Sequence, residues 1–295
     1  MKVLILAGDP KMGITNSPVA ERMQFLASAF EELHIIFPSK RNSQKHIQNL
    51  FLYGSGGARI LRILVYYRIA RSCAQKVRFD YVTAQGPDET GIAAFLISRA
   101  FGIPFELQIH TDVFNPRYRG ASWKEWMHFQ IAKWLLPRAD SVRAVSERIK
   151  RGIIDLGVVT AKSKITLLPI FTNIQEFIEA HPNEKDQNSF KEFEFKMIAA
   201  GRFVEKEKNF RMLIELMAHV RHMSEKIILV LVGEGPDEDR YKALIVKYKL
   251  EKNVILEKWR DDLVSFYKAF DLFLLSSNFE GWGAVVIEAM AAGLP

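Results

Sequence analysis

The sequence has very little cysteine: Cys73 is the only one among its 295 residues. A lone cysteine cannot form an internal disulfide, and we predict a reduced thiol packed in the interior. Long apolar runs are also absent. No stretch reaches the roughly 18 consecutive apolar residues of a membrane-spanning helix. The run at residues 3–7 is too short for the core of a signal peptide. These absences predict a cytoplasmic protein.

The composition excludes disorder, because 48% of the residues are hydrophobic and 25% are charged. A chain of 295 residues is long enough for two domains of ordinary size. Residues 1–180 carry 24 Lys and Arg against 15 Asp and Glu, whereas residues 181–295 carry 17 against 19. The first half is therefore expected to meet an anionic partner, such as a phosphate-bearing substrate or a lipid surface. Nucleic acid fits least well, because no zinc, helix-turn-helix or RNP-like pattern accompanies the charge.

Short aliphatic runs alternate with longer segments of helical period. The predicted strands are residues 3–7, 34–37, 81–84, 105–110, 141–145, 195–200, 227–232, 254–256 and 272–275. The predicted helices are residues 19–32, 58–77, 91–100, 123–136, 146–156, 209–220, 237–250 and 261–270, and a last one that begins near residue 283. This alternation is typical of a parallel sheet with helices on both faces.

The polar segment at residues 181–191 has no period, which indicates a linker. We therefore expect an α/β protein with two Rossmann-like, doubly wound parallel-sheet domains. The first is residues 1–180, the linker is residues 181–194 and the second is residues 195–295. The second domain is expected to be incomplete, because it has only four predicted strands.

In open parallel sheets, ligands bind beyond the carboxyl ends of the strands. In the second half these ends are followed by the loops GRFVEKEKNF, GEGPDEDR and SSNFEGWG. Arg202 and Lys208 supply cations suited to phosphate oxygens, and the helix that begins near Gly283 offers free backbone N–H groups. Glu280 lies in the same group of loops. This arrangement predicts a diphosphate site.

Glu288 lies on the last predicted helix, with four apolar residues on each side of it. A helix that is apolar around nearly its whole circumference is expected to be buried. A buried carboxylate is costly unless it accepts hydrogen bonds. The two hydroxyls of a ribose would donate such bonds, and we expect Glu288 to bind them.

The segment EGWGAVVIEAMAAGLP, in which seven residues separate Glu280 from Glu288, closely resembles the E-x7-E signature of family-4 retaining glycosyltransferases of the GT-B architecture. Further segments resemble this family in the expected order: ADSVRAVSERIK, KITLLPIFTNIQEF, GRFVEKEKNF, LVGEGPDEDR and ILEKWRDDLVSFYKAFDLFLLSS. The resemblance implies transfer of a sugar from a nucleotide diphosphate sugar to an acceptor hydroxyl, with the anomeric configuration retained. It implies no metal and no cofactor, because cationic side chains and a helix end take the place of a divalent ion.

The resemblance also implies roles for individual residues. Arg202 and Lys208 would hold the donor diphosphate, and Glu288 would bind the ribose. Glu280 and His110 would be the catalytic residues, Glu280 at the hydroxyls of the transferred sugar and His110 facing the donor sugar and the acceptor. Further donor contacts are implied for the backbone at Gly281, Trp282 and Gly283, for Arg260 beside the base together with Trp259, and for Gly13 in the loop after the first strand.

Three features depart from the family pattern. An extra residue in GRFVEKEKNF leaves Lys206 as an alternative to Lys208. The loop GDPKMGITNS matches the family's glycine-rich loop only weakly. The family continues beyond the signature helix, so the resemblance implies a C-terminally truncated chain, which we expect to be poorly stable and inactive.

Several alternatives stay open. Glu280 and Glu288 could be the carboxylate pair of a retaining glycosidase. The chain could also be a GT-B nucleotide-sugar epimerase or a non-catalytic partner subunit of a glycosyltransferase. The basic segment at residues 58–78 and the tryptophan-rich segment at residues 123–136 could contact the inner face of a membrane or could simply cover the sheet. In the membrane case the acceptor would be a lipid-linked sugar or a surface polysaccharide.

Overall fold

The computed structural model describes residues 1–13, 18–57, 61–158, 164–260 and 262–295. The chain divides into two compact units, Met1–Pro169 and Ile170–Pro295. The sequence predicts this division after residue 180, so the structure assigns the segment that follows Pro169 to the second unit.

The first unit contains an eight-stranded sheet in the order β3-β4-β2-β1-β5-β6-β7-β8. Its strands are β1 (Lys2–Leu6), β2 (Glu32–Pro38), β3 (Ser43–Ile47), β4 (Leu50–Ser55), β5 (Tyr81–Ala84), β6 (Phe105–Ile109), β7 (Ser141–Ala144) and β8 (Ile165–Leu167). All neighbouring strands are parallel except β3 and β4. The central strands are buried on both faces, which explains why they are continuous apolar runs.

The helices of the first unit connect these strands. They are α1 (Pro18–Ala27), α2 (Arg62–Ala74), α3 (Glu89–Phe101), α4 (Pro116–Ala121), α5 (Trp123–Leu135) and α6 (Glu147–Asp155). The prediction of one helix over residues 19–32 is wrong at its C-terminal end. Residue Glu32 already belongs to β2, where it pairs with Lys2 of β1.

The hairpin formed by β3 and β4 is absent from the sequence prediction. Its two-residue turn places Gln48 at a φ of 52°, a left-handed conformation that glutamine rarely adopts. The side-chain amide of Asn49 fixes the turn by donating to the carbonyl oxygens of Ala27 at 2.5 Å and Phe30 at 2.8 Å. Strand β3 is mostly exposed, so its sequence lacks the apolar alternation of a half-buried strand.

The second unit contains a four-stranded parallel sheet in the order β11-β10-β9-β12. Its strands are β9 (Phe195–Ala200), β10 (Ile227–Val232), β11 (Val254–Glu257) and β12 (Leu272–Phe273). Its helices are α7 (Ile174–Glu179), α8 (Glu184–Ser189), α9 (Glu205–Lys208), α10 (Phe210–Val220), α11 (Glu238–Lys247), α12 (Leu263–Tyr267) and α13 (Ala284–Ala291). Two apolar cores, one on each face of this sheet, confirm the doubly wound architecture.

The polar segment at residues 181–191 contains helix α8. The flanking side chains Phe177 and Phe190 are buried in the same core as Tyr267 of α12. Asp186 of α8 is buried and accepts two hydrogen bonds from Arg260, at 3.0 and 3.2 Å. The segment is therefore packed on the second unit through a few buried residues, although most of its side chains are polar and exposed.

Candidate functional site

The candidate site lies where the strand order of the second sheet reverses. Strand β9 pairs with β10 on one side and with β12 on the other. The loops that leave β9 and β12 therefore start side by side at the carboxyl edge, which is where ligands bind in doubly wound sheets.

Lys208 and Glu280 join these two loops. Lys208 Nζ lies 2.5 Å from Glu280 Oε1, and the two side chains are only 14% and 19% exposed. Ser277 Oγ donates to the same carboxylate oxygen at 2.7 Å, and Ser276 Oγ donates to the Lys208 carbonyl at 2.7 Å. The predicted phosphate-binding cation and the predicted sugar-binding carboxylate thus form a sheltered ion pair.

The neighbouring cations are more exposed than Lys208. Arg202 pairs with Glu207 at 2.6 Å, and 72% of the Arg202 side chain is exposed. Lys206 is also exposed. Of the two lysines that the sequence leaves as alternatives, Lys208 is the less exposed, and it pairs with Glu280.

Glycine is required where the loop after β10 crosses the loop after β9. Gly233 has a φ of 156°, and a Cβ there would lie 1.9 Å from the carbonyl oxygen of Gly201. A Cβ on Gly235 would lie 2.4 Å from the carbonyl oxygen of Phe203. The Phe203 N–H donates to the carbonyl of Glu234 at 2.9 Å, which holds the two backbones together.

Helix α13 begins directly after the loop that carries Glu280. Gly283 precedes it at a φ of 72°, a conformation that glycine adopts without strain. The first N–H groups of a helix have no partner within the helix and carry a partial positive charge. The indole Nε1 of Trp282 is buried and has no hydrogen-bond partner among the described residues. Gly281 to Gly283 therefore connect Glu280 directly to the N-terminus of α13.

Glu288 lies in the second turn of α13 and is half-buried. The prediction of a helix buried on all sides is wrong: Ala289 is the buried residue of α13, and Met290 is 69% exposed. One side of the helix packs on the core beside α7, and its other side chains remain partly accessible. Burial raises the pKa of the Tyr267 hydroxyl, and the negative charge of Glu288 raises it further, so Glu288 acts electrostatically on the core of this unit.

Arg260 has a structural role that the sequence prediction did not include. Its guanidinium donates to the carboxylates of Asp186 and Asp262 and lies 4.0 Å from the centre of the Phe266 ring. Hydrogen bonds with Asp262 are the main reason why the pKa of Arg260 is raised. These contacts attach α8 to the start of α12. The adjacent Trp259 is 51% exposed.

In the first unit, His110 follows strand β6 at the carboxyl edge of the sheet. Its Nε2 lies 2.9 Å from Gln108 Oε1. Burial is the main reason why the pKa of His110 is lowered to about 4, and the positive charges of Arg143 and Arg22 contribute. The imidazole is therefore neutral at pH 7. Because an amide oxygen can only accept, Nε2 carries the proton and Nδ1 is left as an acceptor.

Gly13 ends a short 3-10 turn after β1, and residues 14–17 of the same predicted loop lie outside the described residues. A Cβ on Gly13 would lie 2.6 Å from the ring of Phe37. The glycine is therefore needed for packing against β2, a reason that the sequence prediction did not contain.

Comparison with known families decides the identity of the fold. The family of glycosyl transferases group 1 matches residues 181–295, and the glycosyl transferase 4-like domain matches residues 32–170. The chain belongs to the family-4 glycosyltransferases of GT-B architecture. The matches contain strands β2 to β8 of the first sheet, the whole second sheet and the E-x7-E segment.

Relatives of this chain are named as glycosyltransferases or as a glycolipid synthase. The putative glycosyltransferase EpsF of Bacillus subtilis is 26% identical over 74% of this chain and 56% of its own length. The alpha-monoglucosyldiacylglycerol synthase of Streptococcus pneumoniae is 23% identical over 77% of this chain and 53% of its own. The match thus spans little more than half the length of these relatives. A crystal structure of Anabaena HepE in complex with UDP and glucose covers 100% of this chain and 79% of its own, with a TM-score of 0.76 and 17% identity.

Two residues that sequence reasoning missed orient the histidine of this glycosyltransferase. Gln108 is buried and donates to Thr83 Oγ1 and Glu106 Oε1, both at 2.9 Å. Arg143 of β7 donates to Gln108 Oε1 at 3.2 Å and to the carbonyl oxygen of Pro169 at 2.8 Å. The sequence signal for Gln108 is its spacing from His110, because residues two apart on a strand share a face.

Proposed function

We propose that this chain binds a nucleotide diphosphate sugar at the carboxyl edge of the second sheet and transfers the sugar, with retention of configuration, to an acceptor hydroxyl. The observation that carries the proposal is the Lys208–Glu280 pair at the point where the strand order reverses. A lysine only 14% exposed, paired with a carboxylate in the loop that leads to a helix N-terminus, is a suitable place for a diphosphate.

When the donor binds, its diphosphate would replace Glu280 as the ion-pair partner of the Lys208 ammonium. Arg202 is exposed and close in sequence, so its guanidinium could turn from Glu207 to the same phosphate oxygens. The free N–H groups at the start of α13 would stabilise the charge that develops when the bond between the sugar carbon and the phosphate oxygen breaks. The electron pair of that bond stays on the diphosphate, and the acceptor oxygen bonds to the same face of the sugar while its proton passes to the leaving phosphate.

Glu280 and Glu288 would recognise the hydroxyls of the donor. Lys208 and Ser277 both donate to Glu280 Oε1, and the departure of Lys208 to the phosphate would leave this oxygen able to accept from a sugar hydroxyl as well as from Ser277. Glu288 is half-buried eight residues further on, where its two oxygens could accept from a ribose diol. The backbone at Gly281, Trp282 and Gly283 would lie against the sugar and the phosphates.

His110 would act on a hydroxyl rather than on a phosphate. A neutral imidazole whose Nε2 donates to Gln108 presents Nδ1 as an acceptor. Such a group can orient a sugar hydroxyl without adding charge. We propose this role for His110, with Gln108 and Arg143 as its positioning residues.

A uridine diphosphate hexose is the first donor to test, because HepE, which has the same fold, was crystallised with UDP and glucose. The names of the relatives support an acceptor in glycolipid or polysaccharide synthesis. No helix within the described ranges is long and apolar enough to cross a membrane. Peripheral contact through α5 is supported by Trp123 and Trp126, which are 78% and 50% exposed. Flotation with vesicles that does not depend on anionic lipid would contradict this proposed membrane contact.

Calorimetry with UDP-glucose and GDP-mannose tests the donor site. Lys208→Met should weaken binding of the preferred donor at least about tenfold, equivalent to about 1.4 kcal/mol. Lys206→Met is the matched control, because it removes a lysine from the same short helix at an exposed position. Equal affinities in the two variants would contradict the assignment of Lys208. A glucose product with the donor's anomeric configuration, observed by NMR, would support retention.

A further inference from the structure

The first unit contains a cavity of about 570 Å³ that the proposed glycosyl transfer does not use. It lies between helix α2 and the face of the sheet formed by β2, β4 and β3. Helix α2 runs from the carboxyl edge of the sheet, where β4 ends, back to the amino edge, where β5 begins. The cavity is lined by the second half of this helix and by residues of β2, β3 and β4.

The floor of this cavity includes His34, Tyr53 and Cys73, which interact as a chain of polar groups. His34 is 2% exposed, and its ring nitrogens lie 3.0 Å from Glu32 Oε2 and 3.1 Å from the Tyr53 hydroxyl. The Tyr53 hydroxyl in turn interacts with the thiol of Cys73 on α2. Polar networks whose members are all paired keep a site rigid.

The floor is suited to binding rather than to covalent chemistry. Burial raises the pKa of the Cys73 thiol and lowers the pKa of His34, so both groups are neutral near pH 7. A neutral, buried thiol is a poor nucleophile. Cys73 therefore lines the cavity as a packed, unreactive thiol, and the sequence predicts a packed thiol at this position.

The rim of the cavity is cationic. Arg68 and Ser72 lie about one turn apart on α2, and Lys76 follows two residues after the end of this helix; all three line the cavity. All three are exposed. Within the described ranges neither cation forms an ion pair with a carboxylate, in contrast to Arg62 on the same helix, which pairs with Glu89 at 2.7 Å.

We propose that this cavity binds a phosphate-bearing polyol, either a free sugar phosphate or the glycerophosphate headgroup of a lipid. Arg68 and Lys76 would contact the phosphate, and Ser72, Ser43 and Gln44 would meet the hydroxyls. A volume of about 570 Å³ lies within the range of small-molecule sites, about 300–1,000 Å³. This site is independent of the donor site in the second unit.

The first experiment compares two sources of the same chemistry. Binding of glucose 6-phosphate is measured by calorimetry, and binding to phosphatidylglycerol vesicles by flotation. We expect one of the two to bind, and Arg68→Glu and Lys76→Glu each to weaken it at least about tenfold, equivalent to about 1.4 kcal/mol. The matched control is Arg71→Glu, which reverses an exposed charge on the same helix outside the cavity. Absence of both kinds of binding in the folded protein, or an equal loss in the control, would overturn the proposal.

The single cysteine provides a second, local measurement. Cys73 lines the cavity and is the only cysteine of the sequence, so an alkylating reagent reports on this position alone. Saturating glucose 6-phosphate or phosphatidylglycerol, whichever binds, should slow the alkylation several-fold. Binding without any change in the alkylation rate would mean that the ligand sits elsewhere. Binding of UDP-glucose by the same variants should stay unchanged, which separates failure of this proposal from failure of the donor site.

Discussion

At the scale of single residues, the central feature is that each candidate side chain is held by a contact with another side chain. Lys208 and Glu280 are paired at 2.5 Å, and His110 is held by Gln108 at 2.9 Å. The proximity of Lys208 and Glu280 could be predicted from sequence, because parallel topology brings loops after neighbouring strands to one edge, whereas their pairing with each other could not. The contact between His110 and Gln108 could not either, because a hydrogen bond between side chains depends on rotamers that neither spacing nor composition reveals.

The lowered pKa of His110 predicts a pH dependence of stability. The folded protein protonates His110 near pH 4, whereas the unfolded chain protonates it near its ordinary value of about 6.5. Between these values the unfolded state binds more protons, so the free energy of unfolding should fall as the pH is lowered from 6.5 to 4. Relative to pH values below 4, the lowered pKa of His110 adds at most about 3 kcal/mol to the free energy of unfolding, and this addition is complete above pH 6.5.

Urea denaturation at several pH values measures this effect. His110→Gln should flatten the decline of the free energy of unfolding between pH 6.5 and 4, because the titrating group is gone. The other titrating residues are common to both proteins and cancel in the comparison. Parallel curves for the variant and the parent would show that His110 is not held neutral.

At the scale of elements, apolar runs were predicted well and polar elements were not. Strands β9 and β10 have the predicted bounds, because both of their faces are buried and their sequences are almost entirely apolar. Strand β3 is exposed, and helix α8 has only Asp186 buried. Such elements are fixed by contacts distant in sequence, which local patterns do not record.

Helix α8 gives an element-scale prediction. Asp186 is 3% exposed and attaches this helix to Arg260 in the loop before α12. Asp186→Ala should lower the free energy of unfolding by about 1–3 kcal/mol, because Arg260 keeps Asp262 but loses its buried acceptor. Glu184→Ala, an exposed acidic residue of the same helix, is the matched control. Equal stability of the two variants in urea would mean that α8 is not docked through this ion pair.

At the scale of the whole molecule, each of the two units has its own proposed ligand site. The excess of positive charge lies in residues 1–180, where the cavity beside α2 has its cationic rim. The nearly balanced second half contains the E-x7-E segment and the donor loops. The family could be predicted from the sequence, because several motifs occur in order along most of the chain. The cavity could not, because its lining comes from β2, β3, β4 and α2.

Saturation-transfer NMR of UDP-glucose with this protein tests directly whether a donor binds at the carboxyl edge of the second sheet. We expect transfer to the ribose and glucose protons, loss of both signals in Lys208→Met, and loss of the ribose signals in Glu288→Ala. Signals that persist unchanged in both variants, or no transfer from any uridine or guanosine diphosphate sugar in the folded protein, would contradict a donor site at the carboxyl edge of the second sheet.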